Sequence, residues 1–332
     1  MINKPETTSD HITAEKAQSK IDYQAFVRSF GIIAITLLVG VVLSLLSPWF
    51  LTSENILNVI RQSSFLLLIA IGQTLVIITA GIDLSVSSVI SISGCLTTFL
   101  LLKGIDLNLA FLAGVVSGGL VGVLNAFLIT IGRMEPFLAT LSTQIIGAGT
   151  ILYATQGVPI VPFNNDSFSF LGRGYLGWLP VPILVVAVVA ILAHFMVSHT
   201  VFGRHLYAVG GNPKAAKVSG IDVDRMISWA YVISGLLAGL AGVMLASRLI
   251  SGQPSAGVGM ELNSIAAAVV GGASFFGGEG TIYGTVAGVI LIGIIGNGLN
   301  LLNVSSFLHQ AVIGSVIVFA VVLDRQMKKR RT

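Results

Sequence analysis

The sequence predicts an all-α polytopic membrane protein with about ten transmembrane helices in two inverted sets of five and one short or re-entrant segment. Three observations carry that prediction. Ten separate apolar stretches account for most of the 332 residues. Hydrophobic residues make up 54% and charged residues 10%, with a mean hydropathy of +0.93, which leaves a soluble fold too little polar surface to cover itself. Nearly every Lys and Arg falls in alternate loops between the stretches.

The apolar pattern places spans at Phe30–Ser47, Ser64–Ala80, Val86–Leu102, Leu107–Ile131, Phe137–Tyr153, Val181–Val197, Ser228–Ser247, Leu262–Phe276, Thr281–Leu301 and Phe307–Leu323. Crossing a hydrocarbon core takes roughly 17–25 helical residues. The eighth span is short for that and reads as tilted or re-entrant. Because five is odd, the second set of five crosses in the opposite sense, so any internal repeat is inverted. The organisation is one membrane domain over residues 30–323, with a tail at 1–29, a basic tail at 324–332 and a large loop at 198–227.

Basic residues set the orientation. One side collects Lys4, Lys16, Lys20, Arg28, Arg133, Arg204, Lys214, Lys217, Arg225, Arg325, Lys328, Lys329, Arg330 and Arg331; the other holds Arg61, Lys103, Arg173 and Arg248. This split puts both termini in the cytoplasm of a bacterial inner membrane. The net charge of +4 follows from topology and attraction to anionic head groups, and implies no nucleic-acid partner. The first twenty residues mix Glu6, Asp10 and Glu15 with lysines and lack an apolar h-region, so no cleaved signal is expected. Cys95 is the only cysteine, which excludes an internal disulfide and a cysteine metal cluster. His194, His199, His205 and His309 show no metal-ligand pattern, and no nucleophile and base converge, so no enzyme is indicated.

Thirty-eight glycines predict close helix packing. Gly114, Gly118 and Gly122, then Gly235 and Gly239, then Gly284 and Gly288, recur four apart, as helices pressed together in one bundle or across a dimer require. In the large loop, the run from Gly203 to Ile221 contains a short helix, Pro213 to Ser219. Asn212 is its N-cap, Pro213 its first residue and Gly220 its left-handed terminator. So short a helix needs neighbours, and a cytoplasmic partner would supply them.

Within that loop Ala215-Ala216-Lys217-Val218-Ser219-Gly220 resembles the Ala-Ala-x-x-x-Gly core by which permease subunits of ATP-binding cassette importers engage their ATPases. Two further stretches, Gln73 to Val86 and Glu261 to Ser274 continuing to Gly280, resemble the ribose-type sugar permeases in particular. The likeness runs from about Ile32 to the last span. It implies a homodimeric subunit that couples to a separate ATPase and receives a monosaccharide from a soluble periplasmic or extracellular binding protein. It also implies that Arg204, Tyr207, Gly211, Asn212, Pro213, Ala215, Ala216, Gly220 and Ile221 form the ATPase-coupling site. No Gly-x-x-x-x-Gly-Lys-Ser/Thr run occurs, so this chain is expected to bind no cofactor, and its partner hydrolyses ATP with Mg. Lys214 stands where the broader importer motif has Glu. Asn263 and Ser87 stand where ribose-type relatives more often have Asp and Gly, which puts ribose itself in doubt.

Candidates for the translocation pathway are Asp83, Ser85, Asn125, Asn263, Asn297 and Asn300. Asp83 and Ser85 have two readings, as caps between two spans or as groups facing a water-filled path. The asparagines likewise read either as interhelical hydrogen bonds or as part of the route. Gly271 to Gly280 predicts a tight hairpin rather than a nucleotide cradle, since no strand precedes it. Aromatics between Phe163 and Trp178 read as head-group anchors, with a binding-protein dock as second use. The alternative function is an ion-coupled secondary transporter of a small polar solute, disfavoured because Asp83, Glu135 and Glu261 all fall at span edges.

Overall fold

The computed structural model describes residues 31–162, 166–305, 308–316, 318 and 322. The tails at 1–29 and 324–332, most of the tenth expected span, and Phe163, Asn164 and Asn165 lie outside the described residues. The protein is an all-α membrane protein. Its helices are α1 (Gly31–Leu46), α2 (Ser53–Ile78), α3 (Val86–Leu102), α4 (Leu107–Thr130), α5 (Pro136–Thr155) and α6 (Asp166–Arg173). After a two-stranded hairpin, β1 (Tyr175–Leu176) and β2 (Leu179–Pro180), come α7 (Val181–His199), α8 (Val201–Gly211), α9 (Pro213–Val218), α10 (Val223–Leu249), α11 (Met260–Val270), α12 (Ile282–Leu301) and α13 (308–316).

Among the described residues six helices, α2, α4, α5, α7, α10 and α12, are long and apolar enough to cross a membrane. α2 is the axis: 78% of its most apolar window is buried, against 17% for α5. α10 packs along α2, α3 and α4. The outer faces of α4, α5 and α7 expose Leu112, Leu120, Ile145, Ile146, Ile191 and Phe195, a surface suited to lipid tails. Glycine spacing explains the close crossings. A Cβ on Gly118 would overlap Gly235 O, and one on Gly288 would overlap Ala267 O, so these glycines join α4 to α10 and α12 to α11 within one chain.

Several boundaries differ from the sequence expectation. α2 starts at Ser53, eleven residues before the expected span, because Thr52 caps it by accepting from Asn55 N. Arg61 therefore lies inside a helix rather than in a loop. The expected eighth span is an eleven-residue helix, α11, roughly 16 Å long at 1.5 Å per residue. It is preceded by non-helical chain over residues 250–259 that descends along α3, with Gly252 against Cys95 and Gly257 against Ser87. α3 is likewise preceded by non-helical chain at 79–85, folded back into the bundle. The bundle thus contains two interrupted segments side by side, running in opposite directions.

Candidate functional site

At one end of the bundle, α8 and α9 form a platform. Asn212 Oδ1 accepts from Ala215 N at 3.0 Å, Pro213 opens α9, and Gly220 takes φ +83°, so the local signals act as expected. Ala216 is the buried anchor of α9. Asn212, Pro213, Ala215 and Gly220 are exposed, and Val218 stands 90% exposed at the tip, an apolar contact that the sequence reading passed over. Ile221 N closes the turn on Ala216 O at 3.0 Å. Arg204 is exposed on α8.

The platform is seated on the bundle by backbone. Gly210 lies against Ile78 O, at the end of α2, and Gly278 N, and Gly278 N donates to Ile78 O at 2.8 Å. Tyr207 Oη donates to Gly280 O at 2.6 Å. Burial, with Tyr283 nearby, pushes its phenol up to about 12, so it remains a donor at neutral pH. The Gly271–Gly280 stretch is the expected hairpin: Gly277, Gly278 and Gly280 have positive φ, and Ser274 N donates to Glu279 O at 3.1 Å. Gly211, expected to couple, has open space around its missing Cβ; its neighbour Gly210 makes the close contact.

A second locus is the first interruption. Asp83 is fully buried; its Oδ1 accepts from Ser85 N at 3.0 Å and Ser85 Oγ at 2.6 Å, and its Oδ2 accepts from Ser234 Oγ at 2.8 Å. Asn125 Nδ2 donates to Ser85 Oγ at 2.8 Å, and Asn125 Oδ1 accepts from Thr143 Oγ1 at 2.7 Å. The Gln73 amide spans the Asp83 backbone, donating to its O at 3.0 Å and accepting from its N at 3.2 Å. Ile82 O accepts from Thr140 and Tyr231. Ser234 is eleven residues up α10 from Val223, roughly 16 Å from the platform end at 1.5 Å per residue, so the carboxylate is not at a span edge. Glu261 also lies inside, 9% exposed in the first turn of α11. Its Oε1 accepts from Gln144 at 3.4 Å, while Oε2 has no hydrogen-bond partner among the described residues. The edge positions expected for these two carboxylates are therefore corrected: both flank chain that has folded back into the bundle.

Asn263, Asn297 and Asn300 gather at a third locus, a cavity of about 450 Å³ between α2, α10, the 256–263 chain, α12 and α13. It lies towards the end away from the platform. Asn297 exchanges hydrogen bonds with Asn55 at 2.7 and 3.0 Å, an interhelical pair, which was one of the two readings open for it. The six pathway candidates thus separate, with Asp83, Ser85 and Asn125 in the sealed network and the other three around the cavity. Gln73, Thr143, Ser234, Gln62 and Arg248 complete these loci; the sequence reading did not single them out, because only the fold brings Ser234 to Asp83, 151 positions away, and Gln62 and Arg248 to one cavity. Among the described residues no group of three or more His, Cys, Asp or Glu is placed to hold a metal.

Residues 55–321 match the protein family described as branched-chain amino acid transport system / permease component. A polytopic bundle with a capped platform at one end and interrupted helices inside it is a transport permease, and the chain belongs to this family. Its relatives are sugar permeases of ATP-binding cassette importers. It is 44% identical to the ribose import permease protein RbsC of Bacillus subtilis, over 93% of this chain and 96% of that one. It is 38% identical to the D-allose transport system permease protein AlsC of Escherichia coli, over 96% and 98%. It is 34% identical to the L-arabinose ABC transporter permease protein AraH of Azospirillum brasilense, over 91% and 88%. No solved structure matches.

Proposed function

We propose that this chain is the membrane-spanning subunit of an ATP-driven, binding-protein-dependent importer that passes a monosaccharide, unmodified, by alternating access in a homodimer. α9 is the foothold of a cytoplasmic ATPase that hydrolyses ATP with Mg, and a soluble sugar-binding protein docks at the opposite end. The observation that carries this reading is the seating of α8, through Gly210, on the backbone of Ile78 and Gly278, so that the exposed, capped α9 that follows it gives an outside motor a grip on the bundle. The orientation is supported by Arg133, Arg204, Lys214, Lys217 and Arg225 sharing the platform end while Lys103, Arg173 and Arg248 sit at the other. Ten spans in two inverted sets of five are supported by α3 and α11, the third span of each set. Both are short and both follow interrupted chain at membrane depth, as broken helices around a substrate route do.

The test is reconstitution of the chain with its ATPase and binding protein in vesicles, measuring uptake and ATP hydrolysis together. Ala215→Glu puts an unpaired carboxylate into the docking face, and Gly220→Pro cannot hold φ +83°. Each should cut uptake by roughly tenfold or more while the chain still inserts. Unchanged uptake in both refutes the foothold. Uptake that survives ATP depletion with the ion gradient intact favours the secondary transporter instead.

A further inference from the structure

The cavity near α11 has a polar lining that the protein does not use. Gln62, Arg248, Asn263, Asn300 and Gln310 make no side-chain hydrogen bond to described residues, and Ser63 Oγ is a buried atom without a partner. These groups come from four separate helices, α2, α10, α11 and α12, and from α13, yet converge on one space of about 450 Å³. That volume lies within the roughly 300–1,000 Å³ typical of small-molecule sites. Phe65, Ile292 and Ile313 supply an apolar wall.

The chemistry of the lining selects a ligand class. Side-chain amides present a donor and an acceptor side by side, which matches adjacent hydroxyls that each donate and accept. No Asp or Glu lines the cavity, so it offers no carboxylate to neutralise a metal ion or an ammonium group. Arg248 is the sole guanidinium among the lining residues, and it is stacked on the Phe65 ring with its carbon 5.5 Å from the centroid. One guanidinium among seven other polar side chains, none of them a carboxylate, together with an apolar wall fits an uncharged polyol with a C–H face.

We propose that this cavity holds one uncharged monosaccharide inside a single protomer, with Asn263, Asn300 and Gln62 reading its hydroxyls. The proposal rests on the importer reading above and deepens it by giving the permease its own sugar-selective site. Asn263, which lines the cavity from the first turn of α11, is then a specificity residue.

The cavity can be filled without disturbing its walls. Gly296 lines it, and a Cβ there meets nothing within 4 Å, so Gly296→Leu grows into the space. Gly40 is equally open on α1 and serves as control. The full chain, purified in lipid nanodiscs without its ATPase, would be titrated with radiolabelled D-ribose, D-allose and L-arabinose, with choline and glucuronate as charged competitors. The expected result is saturable binding of at least one neutral sugar, lost in Gly296→Leu, retained in Gly40→Leu, and about fivefold weaker in Asn263→Ala for one lost hydrogen bond. Wild-type-like melting of Gly296→Leu separates blockage from misfolding; if that variant melts early, Asn263→Ala and Asn300→Ala decide. The proposal is overturned by no binding at millimolar sugar, by binding that persists in Gly296→Leu or is unweakened in both asparagine variants, or by preference for choline or glucuronate. ATP-driven uptake with no sugar bound to the chain alone sinks the site and leaves the importer reading standing. Sugar binding with ATP-independent uptake does the reverse.

Discussion

Gly210→Ala tests whether α8 is seated on the bundle as described. A Cβ at Gly210 would overlap Ile78 O and lie 2.6 Å from Gly278 N, 0.8 Å short of the 3.4 Å at which ordinary contact begins. Neither neighbour can swing aside, because both are backbone and Gly278 N already donates to Ile78 O at 2.8 Å. Overpacking of this kind costs about 1–3 kcal/mol, and loss of the buried backbone hydrogen bond adds about 1–3 kcal/mol, so the joint should weaken by about 2–6 kcal/mol. Gly211→Ala is the matched control: its Cβ meets nothing within 4 Å, and the change should stay within about 0.5 kcal/mol. Thermal unfolding of the full chain in nanodiscs reads stability, and ATP hydrolysed per sugar moved in the reconstituted assembly reads coupling. Gly210→Ala should melt early and hydrolyse with little transport. Indistinguishable behaviour of the two variants, or a worse result for Gly211→Ala, would show that the platform is not held by this contact.

Two further perturbations probe the bundle itself. Gly118→Val drives a side chain into Gly235 O and to 2.9 Å from Gly239 N, so the α4–α10 crossing should open at a cost of about 3 kcal/mol or more, seen as early melting against a silent Gly40→Val. Gln73→Leu keeps the volume but strips both partners from the Asp83 backbone, a loss of about 2–6 kcal/mol for two orphaned groups. It should speed hydrogen exchange at the Asp83 amide, and an unchanged exchange rate would show that the amide bridge is not formed.

What the sequence revealed depended on the range of the interaction. The α9 helix was legible because its Asn212 cap, Pro213 start and Gly220 stop act within nine residues. Glycines four apart were legible as helix contacts, and Gly118 against Gly235 and Gly288 against Ala267 turned out to be partners within one chain. Long-range pairings were not legible. Nothing local distinguishes Gly210 from Gly211, since the carbonyl that forbids a side chain at one of them belongs to Ile78. Asp83 looked like an edge residue because the apolar run stops there. In fact the chain turns back, and its carboxylate is met by Ser234, 151 positions away. The outer part of α2 was lost for a related reason: Arg61 broke the apolar pattern, yet the helix continues through it, and Arg61 bonds and stacks on Tyr175 of the hairpin.

The two interruptions are not equivalent in how they are held. The platform touches both: Ile78 immediately precedes the 79–85 chain, and the hairpin held by Gly210 and Tyr207 immediately follows α11. In the proposed cycle, a push on α9 would reach both segments through backbone contacts. At the first, Asp83, Ser85, Asn125, Thr143, Ser234 and Gln73 satisfy one another in a closed set, and any displacement must break several hydrogen bonds at once. At the second, the chain is pinned at its start by paired bonds between Ile160 and Gly252 at 2.8 and 2.9 Å. Lower down, Gly257 N donates to Ser91 Oγ at 3.3 Å, and Gly257 lies so close to Ser87 O that a Cβ would overlap it. The two segments therefore resist displacement by different means, a closed hydrogen-bond set at the first and close backbone packing at the second, where Gly257 lies against Ser87 O and Gly288 against Ala267 O of α11.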